Sequence, residues 1–285
     1  PAKITRAVVQ PDSAELVLEA LVQADLFEHP FNLTPSPNQL YFSAWGDDPG
    51  NDGLYFHELW VTDGTLAGTQ RLLQFADIFG ERATIGDHLL FAADNDTGTG
   101  QELWISDGTP GGTELLVDIR SGSIGSGITD MTTVGDAVYF IANDTGANKQ
   151  LWRVRETSPG SFEAQALTSI GSGTGGFSIS EIFPVQDRIF MTRNISEGDA
   201  DYELWVYDPL VGEARYLHDF IFTDQDSRLL ENAAAFNGEL FFAANDGTWN
   251  TELWASDGTP GGTRLVENLN PAGPSNPKEF TQVGD

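Results

Sequence analysis

Acidic side chains recur at one position of the repeated sequence. Each stands six residues before an aspartate that ends a strand-like segment, and one segment has asparagine instead; the set is Glu81, Asp130, Glu181, Glu279 and Asn232. Oxygen donors that converge around an axis would raise one another's pKa or bind a hard cation such as Ca²⁺. The pattern predicts a ring of oxygen ligands that holds a cation or water. The alternative is a set of separate solvated or turn-capping acids.

A second candidate calcium site lies in a polar loop. Asp94-Asn95-Asp96-Thr97-Gly98, with Glu102 downstream, resembles part of a calcium-binding loop. It alternates oxygen donors and includes a glycine for the turn, but it lacks the full spacing of an EF-hand. Asx-rich hairpin turns explain the same residues without a metal. Asp94 and Asp96 are therefore candidate calcium ligands, with a metal-free turn as the alternative.

The sequence carries no catalytic signature. Its histidines, His29, His57, His88 and His218, are scattered, and it has no cysteine, so zinc-ligand spacing and thiolate chemistry are both missing. The Gly-x-Ser-x-Gly motif of hydrolases is absent as well. A glycosidase needs only two carboxylates, about 5–9 Å apart. We predict a protein that is not an enzyme, with glycosidase chemistry at the recurring acids as the alternative.

The charge of the chain excludes whole classes of partner. Lys and Arg number 14 and Asp and Glu number 43, which gives a net charge of −29. The electrostatic field of such a charge repels nucleic acid and anionic membrane surfaces, because proteins bind both through patches of basic residues. No run of about 18 apolar residues is present to span a bilayer. We expect neither a nucleic-acid partner nor membrane insertion.

A repeated sequence motif indicates which secondary-structure elements position these side chains. Glu58–Thr65 returns as Glu102–Thr109 and Glu252–Thr259, with shorter copies at 150–152 and 203–205. The motif tryptophans, spaced by 44, 48, 53 and 49 residues, are Trp60, Trp104, Trp152, Trp205 and Trp254. Repeats of about 40–50 residues built from short strands indicate propeller blades. Strands such as VYFIA, LLFAA and LFFAA are apolar on both faces, as in stacked blades.

These observations predict an all-β fold, a five-bladed β-propeller of four-stranded blades. The predicted propeller covers 39–285, with blades at 39–75 plus 278–285, 79–118, 128–169, 177–219 and 228–268. Pro35 and Pro37 disfavour a paired strand before Leu40, so the C-terminal strand is predicted to complete the first blade. The alternative is that the chain was cut from a longer propeller. Residues 1–38 are predicted to form a linker and a helix over 11–28, outside the ring.

The extended phrase ELWxxDGTxxGT resembles the signature of the ELWxxDGT-repeat family of bacterial proteins. Intact copies are Glu58–Thr69, Glu102–Thr113 and Glu252–Thr263, whereas 155–157 and 208–210 depart from the pattern. Members of that family are typically large secreted or surface proteins, predicted to be propellers and mostly without an assigned activity. The resemblance implies an extracellular or cell-surface setting.

Most repeated residues are expected to be structural. We predict that the five motif tryptophans pack between blades, because each carries a large apolar area in mid-strand. Asp63, Asp107 and Asp257 are expected to accept hydrogen bonds from turn amides next to a glycine with positive φ. Trp45 and Trp249 lie outside the motif, so they are the candidate platforms for a sugar ring.

The function expected from these features is binding. We predict a secreted or cell-surface module, or scaffold, that presents loops to a protein or polysaccharide with the assistance of calcium. Near-equivalent blades give several similar shallow sites, whereas an active site needs asymmetry. The alternatives are a lectin with sugar pockets between blades and an enzyme that acts on glycosides through axial carboxylates.

Overall fold

The computed structural model describes residues 28–47, 55–144, 149–167, 178–194, 201–221, 228–248 and 250–281. Over these residues the chain forms five four-stranded antiparallel sheets, each built from four strands consecutive in sequence. Apart from the strands, the described residues contain two short 3-10 turns, at Pro110–Gly112 and Pro260–Gly262. The predicted all-β fold with five four-stranded sheets is confirmed.

The sheets are numbered in chain order. Sheet 1 contains β1 (Glu28–Pro35), β2 (Leu40–Asp47), β3 (Tyr55–Thr62) and β4 (Gln70–Phe75). Sheet 2 contains β5 (Asp77–Ile85), β6 (His88–Asp94), β7 (Glu102–Ser106) and β8 (Thr113–Val117). Sheet 3 contains β9 (Thr129–Val134), β10 (Ala137–Ala142), β11 (Gln150–Ser158) and β12 (Ser161–Ala166). Sheet 4 contains β13 (Ser178–Val185), β14 (Arg188–Asn194), β15 (Asp201–Asp208) and β16 (Glu213–Ile221). Sheet 5 contains β17 (Ala234–Phe236), β18 (Glu239–Ala244), β19 (Glu252–Ser256) and β20 (Arg264–Glu267).

The chain divides into two compact units, which are described separately below. Unit 1 contains the described residues up to Val138 together with Val154–Ala164. Unit 2 contains Tyr139–Arg153 and the described residues from Gln165 onwards. Sheets 1 and 2 therefore lie in unit 1, and sheets 4 and 5 lie in unit 2.

The second strands of sheets 2 and 3 are buried because they are apolar on both faces, whereas in β18 of sheet 5 buried residues alternate with partly exposed ones. All six residues of β10 are buried, and so are the five central residues of β6. A strand with one solvated face would alternate apolar and polar residues instead. The uniform apolar pattern in the sequence therefore corresponds to strands covered from both sides.

The first sheet corrects two predictions. Its edge strand is β1, which pairs with β2 in the register Phe31↔Ser43, Thr34↔Tyr41 and Pro35↔Leu40. The C-terminal segment does not fill this place, and the described residues 278–281 form no strand. The prediction failed because proline is tolerated in an edge strand, where its missing N–H costs no ladder hydrogen bond. The boundary predicted at residue 39 is also wrong, since β1 begins at Glu28; the predicted helix otherwise lies outside the described residues.

In unit 1 the core lies between sheets 1 and 2. Trp104 of β7 is 5% exposed and packs edge-on against Phe75 of β4, with the ring centroids 5.0 Å apart. Tyr41, Leu59 and Phe91 belong to the same apolar cluster. The motif tryptophan of sheet 2 therefore covers the outer strand of the sheet before it.

Unit 2 repeats this arrangement between sheets 4 and 5. Trp254 of β19 is 4% exposed and packs edge-on against Phe220 of β16, with a centroid distance of 5.1 Å. Leu204, Leu240 and Phe242 complete the centre of the cluster. In both units, a tryptophan and a phenylalanine from successive sheets pack edge-on in the core.

Truncation of Trp254 is expected to cost about 3–5 kcal/mol of unfolding free energy, because Trp254→Ala removes a buried indole and leaves a cavity beside Phe220. Urea unfolding followed by tyrosine and tryptophan fluorescence measures the change. Leu66→Ala is the control, since this side chain is 70% exposed and its loss is expected to cost less than about 0.5 kcal/mol. Equal unfolding midpoints for the two variants would contradict the assignment of Trp254 to the core.

Candidate binding site

The Asp-Gly-Thr segment of each intact motif folds into a closed turn between the third and fourth strands. In sheet 2, Asp107 Oδ1 accepts hydrogen bonds from Thr109 N at 2.8 Å and from Thr109 Oγ1 at 2.7 Å. Thr109 Oγ1 accepts a further bond from Gly112 N at 3.0 Å, and Gly108 has a φ of 86°. The same contacts recur at 63–68 in sheet 1 and at 257–262 in sheet 5.

A hydroxyl pair closes the base of each turn. Ser106 Oγ and Thr113 Oγ1 are 2.7 Å apart and buried, and Gly108 N donates to Ser106 Oγ at 3.2 Å. These hydrogen bonds also affect ionisation: the side chain of Thr259 lowers the pKa of Asp257 by donating to its carboxylate. The turn aspartates are thus engaged inside their own loops, in the way that the sequence predicts for a turn residue.

The glutamate of the motif is buried, a feature that the sequence analysis left without a role. Glu58 is 4% exposed; its Oε1 accepts from Arg71 at 2.7 Å and its Oε2 accepts from the indole of Trp60 at 3.0 Å. The partly buried Glu203 of β15 has the same kinds of partner, but both contact its Oε2: the indole of Trp205 at 2.7 Å and Arg193 at 3.2 Å. In these two sheets a guanidinium compensates the carboxylate.

The other two glutamates bind backbone instead. Glu102 Oε2 accepts from Ile119 N at 2.7 Å, and Glu252 Oε2 accepts from Leu269 N at 2.9 Å and from Ser275 Oγ at 2.6 Å. Each fastens the segment that leaves the fourth strand of its sheet. In both residues Oε1 is buried and has no hydrogen-bond partner among the described residues. Burial raises the pKa of Glu102. The recurrence of Glu in the motif was the signal for this role.

Two of the recurring acids accept backbone hydrogen bonds from residues about 50 positions further along the chain. In unit 1, Glu81 Oε2 accepts from Met131 N of sheet 3 at 3.0 Å. In unit 2, Glu181 is 4% exposed, and its Oε2 accepts from Thr192 Oγ1 and from Leu230 N, both at 3.2 Å. These two acids therefore hold neighbouring segments in place through backbone N–H groups.

The remaining members of the predicted ring are more open. Asp130 has a φ of 55° in unit 1; in unit 2, Glu279 has a φ of 57° and is exposed, as is Asn232. Across the described ranges, no three or more His, Cys, Asp or Glu side chains gather closely enough to hold a metal ion.

The polar loop after β6 forms Asx turns. Asp94 Oδ1 accepts from Asp96 N at 2.9 Å, and Asn95 Oδ1 accepts from Thr97 Oγ1 at 2.7 Å. Asp96 has a φ of 60°, a conformation that Asp tolerates better than most residues. A metal-free Asx turn, the alternative to a calcium-binding loop, accounts for these side-chain contacts.

One of the two candidate sugar platforms lies within the described residues. Trp45 is 42% exposed, and its ring packs against His57 at 4.2 Å and Phe31 at 5.5 Å between centroids. Trp249 lies outside the described residues. Trp45 is thus part of a three-ring aromatic patch at the surface of sheet 1.

Unit 2 contains a cavity that the sequence analysis did not anticipate. Its volume is about 290 Å³, and it lies between the β15–β16 hairpin of sheet 4 and the Asp-Gly-Thr turn of sheet 5. The charged residues of its lining are Arg188, Arg215, Asp208 and Glu213, and Val206 and Val211 contribute apolar surface. The charged lining residues do not form a sequence motif, so the cavity could not be predicted from the sequence.

No family model matches the chain, and no curated protein matches it. Several solved structures do match. A puromycin-hydrolysing peptidase from Mycobacterium tuberculosis is 14% identical with a TM-score of 0.50, and the match covers 86% of this chain and 39% of that one. Dipeptidyl peptidase 4 from Porphyromonas gingivalis is 11% identical with a TM-score of 0.58, over 88% of this chain and 41% of that one.

A third match is the β-propeller domain of the Trilobed protease from Pyrococcus furiosus. It is 9% identical with a TM-score of 0.46, and the match covers 84% of this chain and 83% of that domain. The chain spans less than half the length of the two peptidases. At these identities the likeness to the peptidases concerns the fold alone. Among the described residues, no helix has the length and hydropathy needed to cross a bilayer.

Gly112→Ala is expected to destabilise unit 1 by about 1–3 kcal/mol, because the added Cβ would meet the carboxylate of Asp107 inside the closed turn. Gly111→Ala is the matched control, since a Cβ there meets nothing within 4 Å. Thermal and urea unfolding of the two variants measure the difference. Equal stability of both variants would show that the carboxylate does not occupy the turn as described.

Glu102→Gln is expected to change how stability depends on pH. Because burial raises the pKa of Glu102 in the folded protein above its ordinary value of 4.5, its ionisation opposes folding. Wild-type stability should therefore fall, relative to Glu102→Gln, as the pH rises from the ordinary pKa through the raised one. Urea unfolding at several pH values between about 4 and 8 measures the difference.

Glu114→Gln is the control for this measurement, because Glu114 is exposed on the neighbouring strand β8. Its difference from the wild type should not change over the same pH range. Parallel pH profiles for the wild type and Glu102→Gln would refute the idea that Glu102 is a buried, poorly compensated carboxylate.

Proposed function

We propose that this protein is a binding module with a five-bladed β-propeller fold, which presents rigid loops to a protein or polysaccharide and catalyses no reaction. The observation that carries the proposal is the repeated Asp-Gly-Thr turn, whose polar groups are bonded within the loop in sheets 1, 2 and 5. A loop that is already ordered loses little conformational entropy on binding. Repetition of such loops supplies several similar contact surfaces.

The propeller assignment is supported by the order and packing of the sheets. Five sheets of four consecutive antiparallel strands are the organisation of propeller blades. Within each unit, a motif tryptophan packs on the outer strand of the preceding sheet, at Phe75 and at Phe220. The TM-score of 0.58 with dipeptidyl peptidase 4 supports a fold of this general kind.

The hairpins between the third and fourth strands offer apolar contact surface. Leu66 in the sheet 1 hairpin is 70% exposed, and Leu210 and Val211 in the sheet 4 hairpin are 89% and 59% exposed. Apolar side chains on ordered loops contribute to binding when a partner covers them. We propose that these hairpins are the contact surfaces of the module.

The proposed setting is extracellular or the cell surface, and it rests on the resemblance to the ELWxxDGT-repeat family. The net charge of −29 suits a protein that must stay soluble and attracts cations. Calcium assistance stays a prediction from the sequence, with Asp94 and Asp96 as its candidate ligands.

Sugar binding at an aromatic patch is the second candidate function. Trp45 is 42% exposed beside Phe31 and His57, so one face of a sugar ring could pack on this patch. A lectin of this kind would depend on the indole of Trp45 and not on the hairpins, which allows the two candidates to be separated.

The test is retention of the purified protein on arrays of bacterial surface polysaccharides and surface proteins, followed by an assay for new reducing ends and new amino termini. The proposal expects retention without turnover. The double variant Leu66→Ser/Leu210→Ser should weaken retention about tenfold, because it removes exposed apolar contacts from two of the hairpins without touching the lining of the unit 2 cavity. Ile124→Ser is the control, since Ile124 is 62% exposed but lies outside the hairpins.

Other outcomes would count against the proposal. Turnover of a polysaccharide or protein would identify an enzyme, and the absence of retention on every array would remove the binding function. Loss of retention in Trp45→Ala alone would favour the lectin. If EDTA abolishes retention and Ca²⁺ restores it whereas Mg²⁺ does not, calcium assistance is supported.

A further inference from the structure

The cavity of unit 2 is walled by groups that already have partners. The guanidinium of Arg188 donates to the backbone carbonyls of Asp257 and Gly238, with the second bond at 2.9 Å. Asp208 Oδ1 accepts from Leu210 N at 2.9 Å. Thr259 Oγ1 donates to Asp257 Oδ1 at 2.7 Å. These contacts hold the side chains of Arg188, Asp208 and Thr259 against the walls of the cavity.

Two charged residues on the same strand remain available. Glu213 and Arg215 both line the cavity, and within the described ranges neither side chain makes a hydrogen bond or ion pair. They are two residues apart in β16, so their side chains leave the strand on the same face. A carboxylate and a guanidinium thus stand side by side without bonding each other, which leaves room for a ligand to bridge them.

The chemistry of this pair favours a neutral ligand rich in hydroxyl groups. A hydroxyl can donate to the carboxylate of Glu213, and its neighbour can accept from the guanidinium of Arg215. A simple anion or cation would satisfy only one of the two side chains, and the net charge of −29 opposes the approach of an anion. Val206 and Val211 provide an apolar surface for the C–H face of the same ligand.

The size of the cavity limits the ligand to a small group. Its volume of about 290 Å³ is near the lower end of the roughly 300–1,000 Å³ typical of ligand sites. We propose that this cavity binds one neutral sugar residue of a glycan, with adjacent hydroxyls bridging Glu213 and Arg215 and the C–H face packed on Val206 and Val211. This inference rests on the proposed binding function and names the ligand class of one site.

The experiment is calorimetric titration of the folded protein with a panel of methyl glycosides of glucose, galactose, mannose and N-acetylglucosamine. Alanine and glucuronate serve as zwitterionic and anionic probes. The wild type should bind at least one neutral glycoside, and Arg215→Gln and Glu213→Gln should each weaken that binding about 10- to 100-fold, because each removes a charged hydrogen-bonding partner. Binding should change little between about 50 and 500 mM salt, since the ligand is uncharged.

Arg264→Gln is the matched control. Arg264 is in the same unit and is bonded to Glu239 at 2.6 Å, but it does not line the cavity. Its binding should equal that of the wild type. Circular dichroism of all three variants must show folded protein, which separates loss of the site from loss of the fold.

Three results would overturn the inference. One is that no neutral glycoside binds. Another is that only alanine or glucuronate binds, and the third is that Arg215→Gln and Glu213→Gln bind glycosides as well as the wild type does. If the array experiment still shows retention in any of these cases, the binding function survives and only the ligand assigned to this cavity is lost. If retention is absent as well, both proposals fail.

Discussion

Burial of the middle strands on both faces is the constraint on which this structure depends. A strand such as β10, with every residue buried, must be covered by apolar surface on each side. Within each unit, a large part of that cover comes from an indole packed on a phenylalanine of the preceding sheet: Trp104 on Phe75, and Trp254 on Phe220. Aromatic pairs of this geometry contribute about 0.5–1.5 kcal/mol beyond the area they bury. Successive sheets are therefore coupled through the motif itself.

Buried polar groups near these contacts need hydrogen-bond partners, and several of those partners are acidic side chains. Glu81 accepts a backbone N–H from β9 of the following sheet, and Glu181 accepts one from Leu230 in the segment before β17. Glu102 and Glu252 accept from the segment that leaves their own sheet, while Glu58 is neutralised by Arg71. An unpaired buried N–H costs about 1–3 kcal/mol, so the acids that accept these N–H groups stabilise the fold. Part of the acidity of the chain is thus structural.

Hydrogen bonds within the turns leave ordered loop tips exposed for binding. The Asp-Gly-Thr turns use their own side chains to order the loop, so their exposed tips need no further support. Where the motif degenerates in sheet 4, the hairpin after Asp208 carries the exposed Leu210 and borders the cavity that contains Glu213 and Arg215. The hairpin of sheet 4 therefore differs from the closed Asp-Gly-Thr turns of sheets 1, 2 and 5. Asymmetry of this kind is what a specific site requires.

The repeat, the strand content and the turns could be predicted from the sequence, because they depend mainly on residues that are close together in the chain. The apolar runs predicted doubly covered strands, and Asp63, Asp107 and Asp257 predicted turns that the hydrogen bonds of Thr65, Thr109 and Thr259 complete. The edge strand β1 was not predicted from the sequence. Pro35 disfavours a strand only where its missing N–H would have to donate a ladder hydrogen bond, and local sequence does not show whether a strand lies at the edge of a sheet.

The contacts of the acids and the place where a ligand could fit depend on how distant segments of the chain pack together. Glu81 and Glu181 looked like members of one ring, yet each meets a backbone amide about 50 residues away in the chain. The cavity in unit 2 joins β16 to a turn of sheet 5, so its lining could not be inferred from spacing. Contacts between residues far apart in sequence arise from packing, and packing follows from the summed apolar surface of whole sheets and not from any single motif.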